Sequence, residues 1–278
     1  MSISLSTVAQ ELFDAEVKHA FQTAGNLRDT VTIRNGVVGD TYNFRAMAKG
    51  LANQKASQDD VTPMNVVHST VSCTLGNWNA PEYSDIFDQA EVNFDERMEL
   101  ATTIAGALGR RLDQLIIDAM GASAFGTQVG TGTSGLAYTD LIDASRYLND
   151  NGVPGGDRHV ALTAKGLADL LEDNQVTSQD YVSVRALMSG DIDTWMGFKF
   201  HIIESRNEGG LAVDGNDQVS AFCWHKSAVG LAIGMDIRTE VNYVPTKTSW
   251  LCNGVMKAGA VTRDIAGVID LLYDEVAA

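Results

Sequence analysis

The stretch Asp88–Met120, DQAEVNFDERMELATTIAGALGRRLDQLIIDAM, decides the fold. Phe94, Met98, Ala101, Ala105, Leu108, Leu112, Leu115 and Ala119 recur in alternating steps of four and three, which draws one continuous stripe down a single helix. At ~1.5 Å rise per residue such a helix runs roughly 50 Å, about three times the mean helix length of globular proteins. Asp88 with Glu91 has capping-box spacing at its start, and Gly106 and Gly109 inside it predict a bend or a close approach of another segment. The helix is a strut. The residues around it carry no convincing chemistry, and a strut joined to extended hairpins suits a protein that builds a surface from copies of itself.

Toward the amino terminus, Asn65–Leu75 reads as a long strand, with Val67, Val71, Cys73 and Leu75 on one face and His68, Thr70, Ser72 and Thr74 on the other. Asn79-Ala80-Pro81 is expected to break it. Earlier strands are predicted at Val31 and Ile33, ahead of the tight-turn pair Asn35-Gly36, and at Tyr42 and Phe44, after Gly39-Asp40. Ala46–Asp60 is polar, small and short of aromatic residues, and reads as a mobile loop. An isolated two-stranded hairpin is marginal in water, so a hairpin this long is expected to find support on another surface. Before it, Ser6 or Thr7 caps an amphipathic helix carrying Ala9, Leu12, Phe13, Val17, Ala20, Phe21 and Ala24, ending near Gly25 and Asn26.

Beyond the strut, Gly121 opens a glycine-rich connector that ends about Gly135. Short alternating elements follow: helices at Leu141–Leu148 and Gly166–Leu171, and strands at Val160–Thr163, Phe198–Glu204 and Val219–Trp224. The last stretch is strand-rich, with Ile237, Thr239, Val241 and Tyr243 alternating against Arg238, Glu240 and Asn242, then Leu251–Met256 and Val268–Tyr273. The chain is of the α+β class, without an internal repeat of solenoid or propeller period.

The 278 residues suggest about two compact units, and 45% hydrophobic residues is ordinary for a chain that buries a core. Twenty basic residues stand against 36 acidic ones, a net charge of -16 spread along the sequence. A field of that sign disfavours nonspecific adhesion to nucleic acid or anionic membrane. Cys73, Cys223 and Cys252 lie far apart and read as buried small apolar residues in a reducing compartment. Neither a secretory signal nor a run of ~18 apolar residues is present, so the expected place of synthesis and assembly is the cytoplasm.

Gly130-Thr131-Gly132-Thr133-Ser134-Gly135 matches the spacing of a dinucleotide-binding loop, the basis for an alternative reading as an NAD(P)-dependent oxidoreductase. Its context argues against that. The match follows a long helix instead of a strand, and no lysine completes a P-loop. His19, His68, His159, His201 and His225 contain no pair at zinc-helix spacing, and no Gly-x-Ser-x-Gly elbow occurs. The acid pairs Asp59-Asp60 and Asp191/Asp193 are of a kind usually solvated. No catalytic, cofactor-binding or metal-ligating residue is expected. Lys49 and Lys55 in the hairpin loop, and Arg110 and Arg111 on the strut, are candidates for contact with acidic groups on adjacent subunits, although such charges are more commonly just solvated.

The order of parts, together with Ser227-Ala228-Val229-Gly230-Leu231-Ala232 leading into Ile237-Arg238-Thr239-Glu240-Val241 and later Gly259-Ala260-Val261-Thr262-Arg263, resembles the major capsid protein of tailed bacteriophages. The resemblance covers nearly the whole chain and implies the Hong Kong ninety-seven type fold. By it, residues 1–29 are an amino-terminal arm, 30–80 an extended E-loop hairpin, 81–125 with 235–278 a peripheral domain holding the spine helix, and 126–234 an axial domain. The implied function is self-assembly, as hexamers and pentamers, into an icosahedral head shell enclosing double-stranded DNA without sequence-specific binding. Candidate contacts between subunits are Phe13, Val17 and Phe21 on the arm, Tyr42, Phe44, Lys49, Lys55, Val67 and Val71 on the hairpin, and Arg110 and Arg111 on the spine. Since the chain starts almost directly at the arm, a separate scaffolding protein or prior cleavage is implied, with a portal and cement proteins as further partners and no membrane. Some relatives crosslink lysine to asparagine; Lys49 or Lys55 is in the right loop, but no partner is assignable and no crosslink is expected. The acidic balance fits an inner wall that does not hold packaged DNA. An encapsulin, a cellular protein cage of the same fold, is the alternative, separable by whether the shell holds DNA or a cargo enzyme.

Overall fold

The computed structural model describes residues 25–87, 96–122, 127–172 and 195–275. The expected amino-terminal helix, the Asp88 and Glu91 cap, Phe94, and the Asp191/Asp193 pair lie outside the described residues. In chain order the elements are β1 (Thr32–Asn35), β2 (Thr41–Met47), β3 (His68–Thr74), β4 (Gly76–Asp85), helix α1 (Glu96–Gly121), β5 (Gln128–Val129), α2 (Tyr138–Asp150), β6 (Arg158–Leu162), α3 (Ala164–Glu172), β7 (Phe198–Ile202), β8 (Gln218–His225), β9 (Val229–Val244), β10 (Ser249–Thr262) and β11 (Val268–Asp274). They form a four-stranded sheet in the order β1-β9-β10-β4, a five-stranded sheet β5-β11-β8-β6-β7, and a separate two-stranded ribbon β2-β3.

The strut is α1, 26 residues long, or about 39 Å at 1.5 Å per residue. Its buried apolar side chains are Ile104, Leu108, Leu112, Ile116, Ile117 and Met120. Leu108 and Leu112 belong to the expected stripe, but Ala105 is exposed and Met98 is 71% exposed. The alternating four-three spacing suits a helix lying along another helix; here the partner is a sheet. Steps of four turn the contact line by about 40° each around the axis, which lets it follow a twisted surface. Gly254 of β10 marks the closest approach, since a Cβ there would lie 2.3 Å from Ile104 Cγ2 and 2.8 Å from Leu108 Cδ1.

Two further ties fix α1. The buried Asp113 carboxylate accepts the backbone N–H of Asn26 at 2.8 Å and of Leu27 at 3.1 Å, so the chain crosses the helix on its way to β1. It crosses at Gly25, which has φ 103° and whose Cβ would lie 2.9 Å from Gly109 O, the close approach that the helix glycines predict. At the other end, Thr262 Oγ1 donates to Ala119 O at 2.8 Å.

Two strands, β1 and β11, pair away from the elements nearest to them in sequence. β1 pairs in parallel with β9, Thr32 opposite Gly230, and not with β2. The glycines at 36 and 39, both with positive φ, carry the chain off that sheet edge into the ribbon. β9 starts at Val229, ahead of the expected boundary at 235, and runs 16 residues against the 14 of β10. β11, expected with the peripheral unit, pairs with β8 and β5 in the five-stranded sheet. Pro81 does not break a strand: it lies inside β4, opposite Asn253. β4 is an edge strand, where a missing donor costs no ladder bond.

One apolar core runs through both sheets and α1, including Leu27, Leu112, Met120, Leu141, Leu162, Phe198, Trp224 and Leu271. A small second cluster of Phe44, Cys73, Leu75 and Ala232 sits at the root of the ribbon. Thr163 caps α3, its Oγ1 accepting the Gly166 N–H at 3.1 Å and meeting the buried Tyr273 hydroxyl at 2.9 Å. On β11, Asp270 is half-buried and its Oδ1 has no partner among the described residues. Burial pushes its carboxyl up to about 6, against a hydrogen bond from Ser220 that opposes the shift.

Gly254→Val drives a branched side chain into two packed residues and is expected to lower stability by about 1–3 kcal/mol, read by urea unfolding. Asp270 has a folded-state pKa above its ordinary 3.8, so its charge destabilises at neutral pH and the penalty fades as pH falls through about 6 toward 4. Asp270→Asn is therefore expected to be more stable than wild type at pH 8, by about 1–2 kcal/mol after solvent screening, with the difference closing near pH 4.

Candidate assembly surface

The ribbon β2-β3 pairs from Thr41 opposite Thr74 to Met47 opposite His68. The alternation expected for its second strand holds near the root, where Cys73 and Leu75 are buried and Ser72 and Thr74 exposed. Val71 is half-buried, whereas Val67 at the far end is 68% exposed. Residues 48–67 join the two strands and are nearly all exposed. That segment carries Leu51, 81% exposed, with Val61 and Met64, also exposed. Among the described residues these apolar side chains stay exposed, and burying each one would remove its surface from water with a gain of about 1.5–3 kcal/mol.

Of the expected contact residues, Phe13, Val17 and Phe21 lie outside the described residues. Phe44 is buried at the ribbon root, 4.8 Å edge-to-face from Tyr42 and with Arg263 5.3 Å over its ring. Its packing is therefore internal, which corrects its candidacy as a contact. Tyr42 is half-buried beside it, with the Arg34 guanidinium 5.8 Å from its ring. Lys49 Nζ donates to Asn151 O at 2.8 Å, at the end of α2 of the same chain, and Lys55 is exposed. Arg110 and Arg111 are half-buried: the backbone and Cβ of Arg110 lie against Gly209, and Arg111 lies 3.9 Å over the Trp78 ring and 4.0 Å from Glu208.

Sequence reading missed Leu51, Val61 and Met64. The available signal was three large apolar residues in an otherwise polar loop. It also missed a patch at the far end of the four-stranded sheet, where Tyr243 and Trp250 rings are 5.3 Å apart, Lys247 Nζ lies 3.9 Å over Tyr83, and Phe87 is exposed.

The glycine loop is an internal joint. Gly132 N–H donates to Leu272 O at 3.2 Å, Gln218 Nε2 donates to Gly132 O at 2.9 Å, and Asp274 N–H donates to Ser134 O at 2.9 Å. A Cβ at Gly130 would lie 2.2 Å from Leu272 O, so the glycine there serves contact with β11. An amide engaged in that way is not offered to a pyrophosphate. Among the described residues no group of three or more His, Cys, Asp or Glu is placed to hold a metal ion, and no helix is long and apolar enough to cross a membrane.

No curated protein matches the chain. Similar solved structures include the capsid of the cyanophage P-SCSP1u, at 18% identity over 98% of this chain and 95% of that one, with a TM-score of 0.76. The head of the Helicobacter pylori bacteriophage KHP40 aligns at 11% identity over 94% of this chain and 95% of that one, with a TM-score of 0.77. Mycobacterium phage Che8 aligns at 15% identity over 96% and 97%, with a TM-score of 0.72. These likenesses establish the α+β phage capsid fold of the Hong Kong ninety-seven type. Residues 5–275 match the family profile for phage capsid protein, and the chain belongs to that family, as a non-enzymatic major capsid subunit of a phage head shell.

Proposed function

We propose that the subunit closes an icosahedral shell of hexamers and pentamers through its β2-β3 ribbon, laid across the four-stranded sheet of a neighbouring copy. The observation that carries this reading is the exposed Leu51, Val61, Met64 and Val67 on a loop with no core of its own. A receiving surface is available on each copy: an open groove of about 390 Å³ lined by Asn77, Trp78, Met235, Arg238, Val255 and Lys257 among others. Its apolar floor suits the loop's aliphatic side chains. Its charged residues are internally paired, Arg238 with Glu240 and Lys257 with Asp40, so the fit rests on the apolar floor.

In this reading residues 1–29 are the arm, and the ribbon with its loop is the E-loop. The four-stranded sheet with α1 is the peripheral domain, and the five-stranded sheet with α2 and α3 is the axial domain. Many modest contacts of this kind act together in a closed shell, so the weakness of each is no obstacle. The contents are double-stranded DNA of a tailed phage, enclosed without sequence-specific binding, and the net charge of -16 disfavours its adhesion to the inner wall. A scaffolding protein, a portal and cement proteins complete the assembly.

Leu51→Asp combined with Met64→Asp is expected to leave the folded subunit unchanged by circular dichroism and thermal melting, because both sites are exposed. Shell yield by negative-stain microscopy and sedimentation is expected to fall at least about tenfold, the effect of losing more than ~1.4 kcal/mol per contact. Shells of normal yield from the double variant would sink the ribbon-on-neighbour reading.

A further inference from the structure

His159 on β6 and His201 on the edge strand β7 face each other, with Nδ1 of the first 3.0 Å from Nε2 of the second. Trp224 on β8 stacks beside both rings, at 5.7 Å from His159 and 6.3 Å from His201. The indole is fully buried, and its Nε1 donates to Thr30 O at 3.1 Å. Thr30 is the buried residue two places ahead of β1. The stack thus reaches from the outer edge of the five-stranded sheet to the segment that feeds the four-stranded one.

The contact between the imidazoles is one hydrogen bond, and it needs one bare ring nitrogen. His159 Nε2 is buried and has no partner among the described residues. In the tautomer with His159 Nδ1 donating to His201, Nε2 is bare, and a proton added there makes a donor with nothing to receive it, inside a low-dielectric site. A second proton on His201 puts N–H groups on both facing nitrogens, and the bond becomes a repulsion. Neighbouring charges tilt the balance further. Lys199 is the cross-strand partner of His159 on β7, and Lys226 follows β8; Asp157, just before β6, opposes them but is bridged to Lys199 at 3.3 Å.

We propose that the His159–His201–Trp224 stack is a proton-operated clasp between the two sheets. At neutral pH the shared hydrogen bond keeps it shut, and in acid the paired imidazoliums separate and free Trp224 from Thr30, loosening the junction while each sheet remains folded. The sign is consistent with the electrostatics. Burial, then His201, then Lys199 hold His159 down to about 4 from an ordinary 6.5, and burial with Lys199 lowers His201 too. Groups depressed in this way contribute stability above 6.5 that is lost as pH falls toward about 4.

The test follows the full-length subunit from pH 7.5 to 3.5 by near-ultraviolet and far-ultraviolet circular dichroism, with Trp224→Phe identifying the Trp224 signal. A reversible near-ultraviolet step near pH 4, ahead of any far-ultraviolet loss, is expected. Lys199 and Asp157 are solvent-facing, with side chains 48% and 61% exposed, so their variants keep the fold. Lys199→Gln is expected to move the midpoint up and Asp157→Asn to move it down, by about 0.3–0.5 pH unit each, the size for a part-exposed charge. His201→Gln removes the step. A single transition shared by both spectral regions, a midpoint indifferent to both charge variants, or histidine side-chain NMR showing His159 titrating at its ordinary 6.5 would each overturn the clasp.

Discussion

Ile104, Leu108, Leu112 and Ile116 lie along the sheet formed by β9 and β10, with Gly254 beneath the first two, and this contact organises the molecule. A 26-residue helix gains little from propensity alone and depends on tertiary packing of one face. Two strands of 16 and 14 residues supply a face long enough to match it. The remaining parts attach to the pair. The amino-terminal segment hangs from Asp113, the 203–211 loop rests on Arg110 and Gln114, and the return to the five-stranded sheet is tied at Ala119. Moving the helix relative to the sheet would therefore move all three attachments together.

Much of this was legible in the sequence because local periodicity is strong where an element has one wet face. The helix and the alternation toward Cys73 and Leu75 carried that signal, whereas β6, buried at every residue, was legible only as a short apolar run and β5 was not legible at all. The failures have definite causes. Val229–Ile233 is apolar and buried on both faces, so it lacked the alternation that marked Ile237–Tyr243. Pro81 stopped the strand reading because its place at an edge is a property of the sheet, not of the segment. The pairing of β1 with β9 joins residues nearly two hundred positions apart, which no local pattern encodes.

The assembly surface was legible in outline and less so in residues. Aromatic side chains on a strand read equally well as core or as contact, and Phe44 proved to be core because Ala232 and Arg263, distant in sequence, cover it. Arg110 and Arg111 looked available on a helix whose covering loop lies almost a hundred residues downstream. Leu51, Val61 and Met64 sat in a stretch whose polar composition masked them. The glycine loop shows the converse. Its spacing suggested a ligand, while its amides and its lack of side chains answer to β11.

Among the described residues the four-stranded sheet ends at β4, and a long edge of that kind normally invites strands from other molecules to add without limit. Pro81 sits in the middle of that edge with no hydrogen to offer. An incoming strand would find the ladder interrupted, so edge-to-edge growth into ribbons or fibres is blocked at its centre. Copies of this chain are left to join by their faces and loops, where curvature is set by side-chain fit. Growth on those terms bends back on itself and stops, which distinguishes a container from a filament.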